Sequence, residues 1–436
     1  MKHNIFARAI FALVLFSLLF STAIAAQIQE QRMPVKVAQE GFPFHMPQTR
    51  ATSFDLADLL SGGDTMMYAF LHISQFLPTT IIPHSSPVIP LEKALKPEVG
   101  KVKLATHLGK LSLDAYLANP QSYVQGYLVI HKGKIVYEKY PGMREVDSHV
   151  WASNGKILTS LVIALLAQEG KIDVKKTVGF YMPDFKDTAW QDIPVIDVLD
   201  MATGTDIVEN DKTRSDPNSV ATRLFQSIMG VKSASGTLES HTDVLKSAKK
   251  TAPSGRAFEY ASGVTQMLVL LAEAVEQKCW ADIFEEHVWS KMGVESDMLI
   301  PLTPDGIAAV QGLASSRLRD LGRLGMLYTP SWKKASKEQI VSKQMLNNIQ
   351  NGCRPEIFTK GHMGIAMTKR FAQQPKCNGW QWDAVFHDGD IYKSGLMGQG
   401  LYVSPSRNLV IVWFSADKTA SATGYSRAIA TSGLFQ

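Results

Sequence analysis

The sequence predicts a mixed α/β (α+β) fold, an antiparallel sheet flanked by helices with an all-helical lobe, and three observations carry that reading. Hairpin patterns stand at both ends of the main domain, a long apolar helix follows the first of them, and the stretch between is helical in composition. Closing such a chain into one sheet brings the amino-terminal hairpin beside the carboxy-terminal one, with the helical middle as a lobe above.

Taken in order, the 436-residue chain opens with Lys2 and Arg8, the apolar run Ile10 to Phe20 and the small residues Ala23-Ile24-Ala25. That is the pattern of a secretory signal peptide over residues 1–25. The run is too short for a membrane span and is closely followed by Gln27, Gln29, Glu30 and Arg32; no later segment holds 18 uninterrupted apolar residues. The expectation is an exported protein, periplasmic or secreted from a bacterium, with no stable membrane span once the signal is removed. Residues 26–110 are rich in Pro, Ser and Gly, with apolar clusters such as Phe76-Leu77-Pro78 and Val88-Ile89-Pro90. They read as an arm packed on the main domain, residues 111–436. There the first hairpin is Tyr127-Leu128-Val129-Ile130, a Lys132-Gly133 turn and Ile135-Val136-Tyr137. From Ser153 to Glu169 the pattern is helical and apolar almost all round, which predicts a buried central helix ended by Gly170. The helical lobe covers about residues 175–295 and includes a second buried helix over Val264 to Val275. Gly400 to Val403, a Pro405-Ser406-Arg407-Asn408 turn and Leu409 to Phe414 form the second hairpin.

Composition removes several functions. A hydrophobic content of 45% permits a sizeable core, and the formal charge of +5 is scattered among acids, so no basic patch marks a nucleic-acid partner. Three cysteines allow at most one disulfide, for which Cys353 and Cys377 are the expected pair. No histidine stands in an H-x-H or H-E-x-x-H pattern and the cysteine spacing fits no zinc site, so neither a metal nor an organic cofactor is expected.

A serine hydroxyl is a poor nucleophile until a neighbouring base takes its proton. In Ser153-Asn154-Gly155-Lys156 a helical start places residues three apart on one face, so the Lys156 amine reaches the Ser153 oxygen. Burial beside another cation lowers a lysine pKa and makes it a usable base. The S-x-x-K spacing recurs at Ser247, Ser331 and Ser415, but only Ser153 opens a long apolar helix directly after a strand hairpin. The plainer role for Ser153 is a helix N-cap. Two later stretches argue for chemistry: Tyr260 stands at the entrance of a buried helix, where its phenol can relay a proton, and Lys393-Ser394-Gly395 leads a glycine-rich entry to the last hairpin. Lys393 is placed to hold the Tyr260 phenolate or a substrate carboxylate.

The order S-x-x-K, Tyr260-Ala261-Ser262 for Y-x-N, and Lys393-Ser394-Gly395 for K-[ST]-G resembles the penicillin-recognising serine enzymes. The phrasing around Trp151-Ala152-Ser153, Glu169 to Asp173, Leu199 to Gly204, Gly312 to Asp320 and Gly395 to Pro405 looks like the class C β-lactamase-related branch, which includes DD-peptidases, family VIII esterases and 6-aminohexanoate-dimer hydrolases. The last of these, with the esterases, is the nearest in look, and the resemblance runs from about residue 70 to the end. It implies a β-lactamase/transpeptidase-like fold and an acyl-enzyme on Ser153, with Lys156 activating it and Tyr260 as general base and acid. It also implies an oxyanion hole from the N–H groups of Ser153 and Leu396, and substrate contacts from Ser262, Lys393, Ser394 and Gly395. Ser262 in place of the usual Asn, and the bulky Leu396-Met397 pair, weaken a β-lactam-specific reading. The expected function is therefore hydrolysis of a small ester, amide or peptide-like substrate. The alternatives are a β-lactamase or DD-peptidase, a catalytically silent binder of peptidoglycan or β-lactams, and a Ser-His-Asp site using His149, His362 or His387.

Overall fold

The computed structural model describes residues 32–43 and 62–436, so the signal-peptide reading lies outside the described residues. Residues Val35–Gln436 form one compact unit. The strands, in chain order, are β1 (Thr79–Ile82), β2 (Lys103–Thr106), β3 (Gly109–Ser112), β4 (Val124–His131), β5 (Lys134–Lys139), β6 (His149–Val150) and β7 (Met298–Pro301). They continue with β8 (Ser315–Ser316), β9 (Cys377–Gly379), β10 (Trp382–Val385), β11 (Ile391–Ser394), β12 (Gly400–Ser404) and β13 (Leu409–Ser415). The helices that frame the site and its surroundings include α1 (Asp64–Ala69), α2 (Lys156–Gln168), α3 (Val220–Met229), α4 (Ser262–Glu276), α5 (Trp280–His287), α6 (Val310–Leu313) and α7 (Leu318–Met326).

Seven strands form the main sheet in the order β5-β4-β13-β12-β11-β10-β9. Both hairpins expected from the sequence are present, and they join through antiparallel pairing of β4 with β13, where Val129 faces Ile411 and Leu128 faces Val412. Those strands are buried along almost their whole length. They read as continuous apolar runs because helices cover the sheet. α7 packs on β4, β12 and β13.

α2 is buried on nearly every side, with Ile157, Leu158, Leu161, Val162 and Ile163 in the core beside the buried Thr159 and Ser160, and it packs against α4. Its start differs from the expected one: Ala152–Gly155 forms a separate 3-10 turn, and the α-helix begins at Lys156. Ser153 is therefore on a tight turn feeding the helix and does not act as its cap. A second, four-stranded sheet, in the order β1-β7-β8-β6, has no counterpart in the sequence reading. Two of its members are two residues long, too short for a periodic signal.

The residues ahead of residue 111 carry regular structure of their own. β1 pairs with β7, and α1 enters a second apolar cluster in which Met66, Phe70 and Ile73 pack with Ala152, Ile228, Leu313 and Met397. Cys353 and Cys377 are joined in a disulfide, and Cys279 is an exposed free thiol. Among the described residues no helix is long and apolar enough to cross a membrane.

Candidate active site

A cleft of about 310 Å³ is lined by Ser153, Tyr260, Ser262, Ser394, Gly395 and Leu396, which brings six of the eight candidate residues together on one surface. The other two, Lys156 and Lys393, are fully buried and do not line it. Three segments far apart in sequence supply these groups: the turn before α2, the entrance of α4, and the end of β11 with the residues after it.

Two glycines make this convergence possible. A Cβ on Gly155 would lie 2.3 Å from the Val310 carbonyl oxygen, so only glycine lets α6 approach the Ser153 turn. A Cβ on Gly395 would meet the Ala152 Cβ at 3.0 Å and the Trp151 carbonyl oxygen at 3.0 Å. The third motif thus lies directly against the first. The residues bracketing Ser153 and Leu396 carry left-handed backbone: Ala152 has φ 48° and Met397 has φ 58°. Each costs about 1 kcal/mol or more for a residue with a side chain, and both are held by the apolar cluster that α1 completes.

The Lys156 ammonium donates to Ser153 Oγ at 3.2 Å, to Ser262 Oγ at 2.9 Å and to the Gln311 carbonyl at 2.5 Å. Those three bonds use its whole donor capacity. Burial is the main force lowering its pKa to about 7; Lys393 and Arg214 add to the shift, while Glu209 and Asp383 oppose it. The Tyr260 hydroxyl is within hydrogen-bonding reach of Ser153, and its pKa stands well above the ordinary value because of burial and then the charges of Asp383 and Glu209. Tyr260 is accordingly a neutral phenol at physiological pH and not a phenolate.

Lys393 lies beside Tyr260, one of the two placements expected of it, and is buried in an ion pair. Its ammonium is bonded to Asp383, whose other oxygen accepts from the Ser394 N–H at 2.9 Å and from the Ser394 hydroxyl. With no exposed surface it cannot meet a substrate carboxylate, and it lies 4.9 Å from the centroid of the Tyr260 ring, over its face. Lys156 is 5.3 Å from the same centroid. Tyr260 is thus flanked by two lysines. Asp383 and Glu209 were not singled out in the sequence. Asp383 does carry a signal, since a lone acid in the apolar run Trp382 to Phe386 requires a buried cation. Glu209 sits in a polar loop and carries none.

None of the histidines weighed as a triad base lines the cleft. His149 is buried against Phe414, His362 bonds Glu259 at 2.8 Å, and His387 is exposed. One group of possible metal ligands exists among the described residues, Glu169, Glu276 and His287, but Lys171 donates to both carboxylates, at 2.9 Å and 2.7 Å. It does not border the cleft.

Comparison with known proteins agrees with this geometry. The family model described as Beta-lactamase matches residues 121–432. A 6-aminohexanoate-dimer hydrolase from Paenarthrobacter ureafaciens is 24% identical over 350 residues, covering 80% of this chain and 85% of that protein. A solved Bacillus anthracis protein, provisionally described as a 6-aminohexanoate-dimer hydrolase, superposes with a TM-score of 0.71 at 22% identity, covering 84% of this chain and 92% of the other. EstCE1, described as a hydrolase with promiscuous acyltransferase activity, shares the fold with a TM-score of 0.52 at 15% identity over 72% of this chain and 94% of its own. The chain belongs to the beta-lactamase family of serine hydrolases.

Proposed function

We propose that this protein hydrolyses small esters or amides through an acyl-enzyme on Ser153. The observation that carries the proposal is the buried Lys156 amine, hydrogen-bonded to Ser153 Oγ at 3.2 Å with its pKa lowered to about 7. A neutral amine keeps two donors, for Ser262 and Gln311, and turns its lone pair toward Ser153. Lys156 takes the Ser153 proton as Oγ attacks the substrate carbonyl. The N–H groups of Ser153 and Leu396 hold the oxyanion, an assignment supported by the close packing of Gly395 on Trp151 and Ala152. As the tetrahedral intermediate collapses, Tyr260 gives its proton to the departing alcohol or amine and regains one from Lys156. Water then attacks the acyl-enzyme by the reverse proton path, and the acid leaves.

The wall of the cleft favours an apolar acyl group, since Phe70, Phe225, Ile228, Met229 and Leu396 line it. The two dimer-hydrolase relatives support a short amide as well as an ester. Labelling with a serine-directed fluorophosphonate, followed by peptide mass spectrometry, tests the proposal. The expected result is one adduct on the Ser153 peptide, absent in Ser153→Ala; folded wild-type protein without that adduct refutes the acyl-enzyme. Nitrophenyl esters, nitrocefin and D-alanyl-D-alanine peptides assayed side by side then separate esterase or amidase activity from β-lactamase and DD-peptidase activity.

A further inference from the structure

Glu209 lines the cleft, yet only 5% of it is exposed. One of its carboxylate oxygens accepts the main-chain N–H of Ser262, and the other accepts from Arg214 at 3.3 Å. Its own main-chain N–H donates to the Tyr260 carbonyl at 2.8 Å. The residue therefore grips the Tyr260-Ala261-Ser262 turn at both ends. Ser262 Oγ in turn accepts from Lys156 at 2.9 Å. Among the described residues neither Asp383, which faces Lys393 from β10, nor any other acid makes this double contact with the turn.

A buried carboxylate so close to two lysines has an electrostatic role as well as a mechanical one. Lys156 is faced by Glu209 from a loop before α3, by Arg214 from the short helix Asp211–Ser215, by Lys393 and Asp383 from β11 and β10, and by the Tyr260 ring at the head of α4. Of these, only Glu209 joins a charge to a direct hold on the residues that Lys156 and Ser153 contact.

We propose that Glu209 is a positioning residue of this centre: it fixes the Tyr260-Ala261-Ser262 turn, and its negative charge sets how readily Lys156 exchanges the Ser153 proton. The proposal rests on the acyl-transfer reading above. Without the carboxylate charge Lys156 keeps its burial and its two neighbouring cations, so its ammonium form loses support and gives up its proton at lower pH. Arg214 acts in the opposite sense, since it both neutralises Glu209 and repels the Lys156 ammonium.

The test is the pH dependence of kcat/KM on a nitrophenyl ester. The wild type should show an ascending limb near the Lys156 pKa of about 7. Glu209→Gln keeps an acceptor for Ser262 but removes the charge, and its limb should move down by about one pH unit. Glu209→Asp keeps the charge, so its limb should stay in place even if its rate falls. Arg214→Met serves where Glu209→Gln does not fold, because the Arg214 side chain is 41% exposed, and its limb should move up. A structural role alone lowers the rate at every pH and leaves the limb where it was. A wild type that forms the Ser153 adduct, with an unmoved or raised limb in Glu209→Gln or an unmoved or lowered limb in Arg214→Met, overturns the proposal for Glu209 alone. A wild type with no adduct overturns the acyl-transfer reading and this proposal together.

Discussion

Lys156 and Tyr260 are both held away from their usual protonation behaviour by burial, in opposite chemical directions. Burial brings the lysine down to about 7, within reach of deprotonation, and pushes the phenol up, so that it stays protonated. In the proposed mechanism this divides the pair into a base and an acid at neutral pH. Replacing Tyr260 by Phe removes the acid while keeping the ring between the two lysines. Its kcat/KM should fall by about 10²- to 10⁴-fold on an amide, whose leaving group needs a proton. The loss should be smaller on a nitrophenyl ester, whose leaving group departs as a stable anion; equal losses on matched anilide and ester substrates would contradict the role. The proximity of Ser153, Lys156 and Tyr260 was legible in the sequence because helix spacing and chain order constrain it. Lys393 was legible as a site residue but not as a buried one, because its partner Asp383 stands ten positions earlier on a neighbouring strand. Glu209 reaches the centre only through tertiary packing of its loop, and no local pattern encodes that.

Among the elements, the two hairpins and the two long helices could be read because apolar runs and turn residues mark them. The small sheet could not, since β6 and β8 together contain four residues and derive their strand character from their neighbours. The left-handed Ala152 and Met397 were equally hidden, because neither is the glycine that such a φ favours. The link from Cys353 to β9 closes a loop with a sequence separation of 24 and ties the lead-in to the helix Pro355–Phe358 to the edge of the main sheet. Replacing both cysteines by serine should cost about 3 kcal/mol of unfolding free energy, measured by denaturant titration against the oxidised protein. Ser153 labelling should survive at low denaturant, because β9 is separated from β11, which carries the third motif, by β10. Loss of labelling in the folded double variant would mean that the disulfide shapes the cleft itself.

At the scale of the whole molecule, acid should destabilise the fold through buried histidine. His241 is 1% exposed, its Nδ1 is bonded to Ser227 Oγ at 2.8 Å, and burial lowers its pKa to about 4 against the partial opposition of Asp305. An unfolded histidine titrates near 6.5. Since the folded value is the lower one, the unfolded chain binds more protons between those limits; the stabilisation is complete above 6.5 and is lost as pH falls toward 4. Wild type should lose about 2 kcal/mol relative to His241→Gln between pH 7 and pH 5, read from denaturation at each pH. A constant difference across that range would show that His241 does not titrate on unfolding. The sheet order has one more consequence, for the chain as it is being made. Strand β4 finds its inner neighbour only in β13, with His131 opposite Leu409, and the third motif lies on the strand two places beyond. During synthesis Ser153 and Lys156 therefore emerge well before β11 and β13, and the side of the cleft that the third motif supplies is added only when the last hairpin has been made.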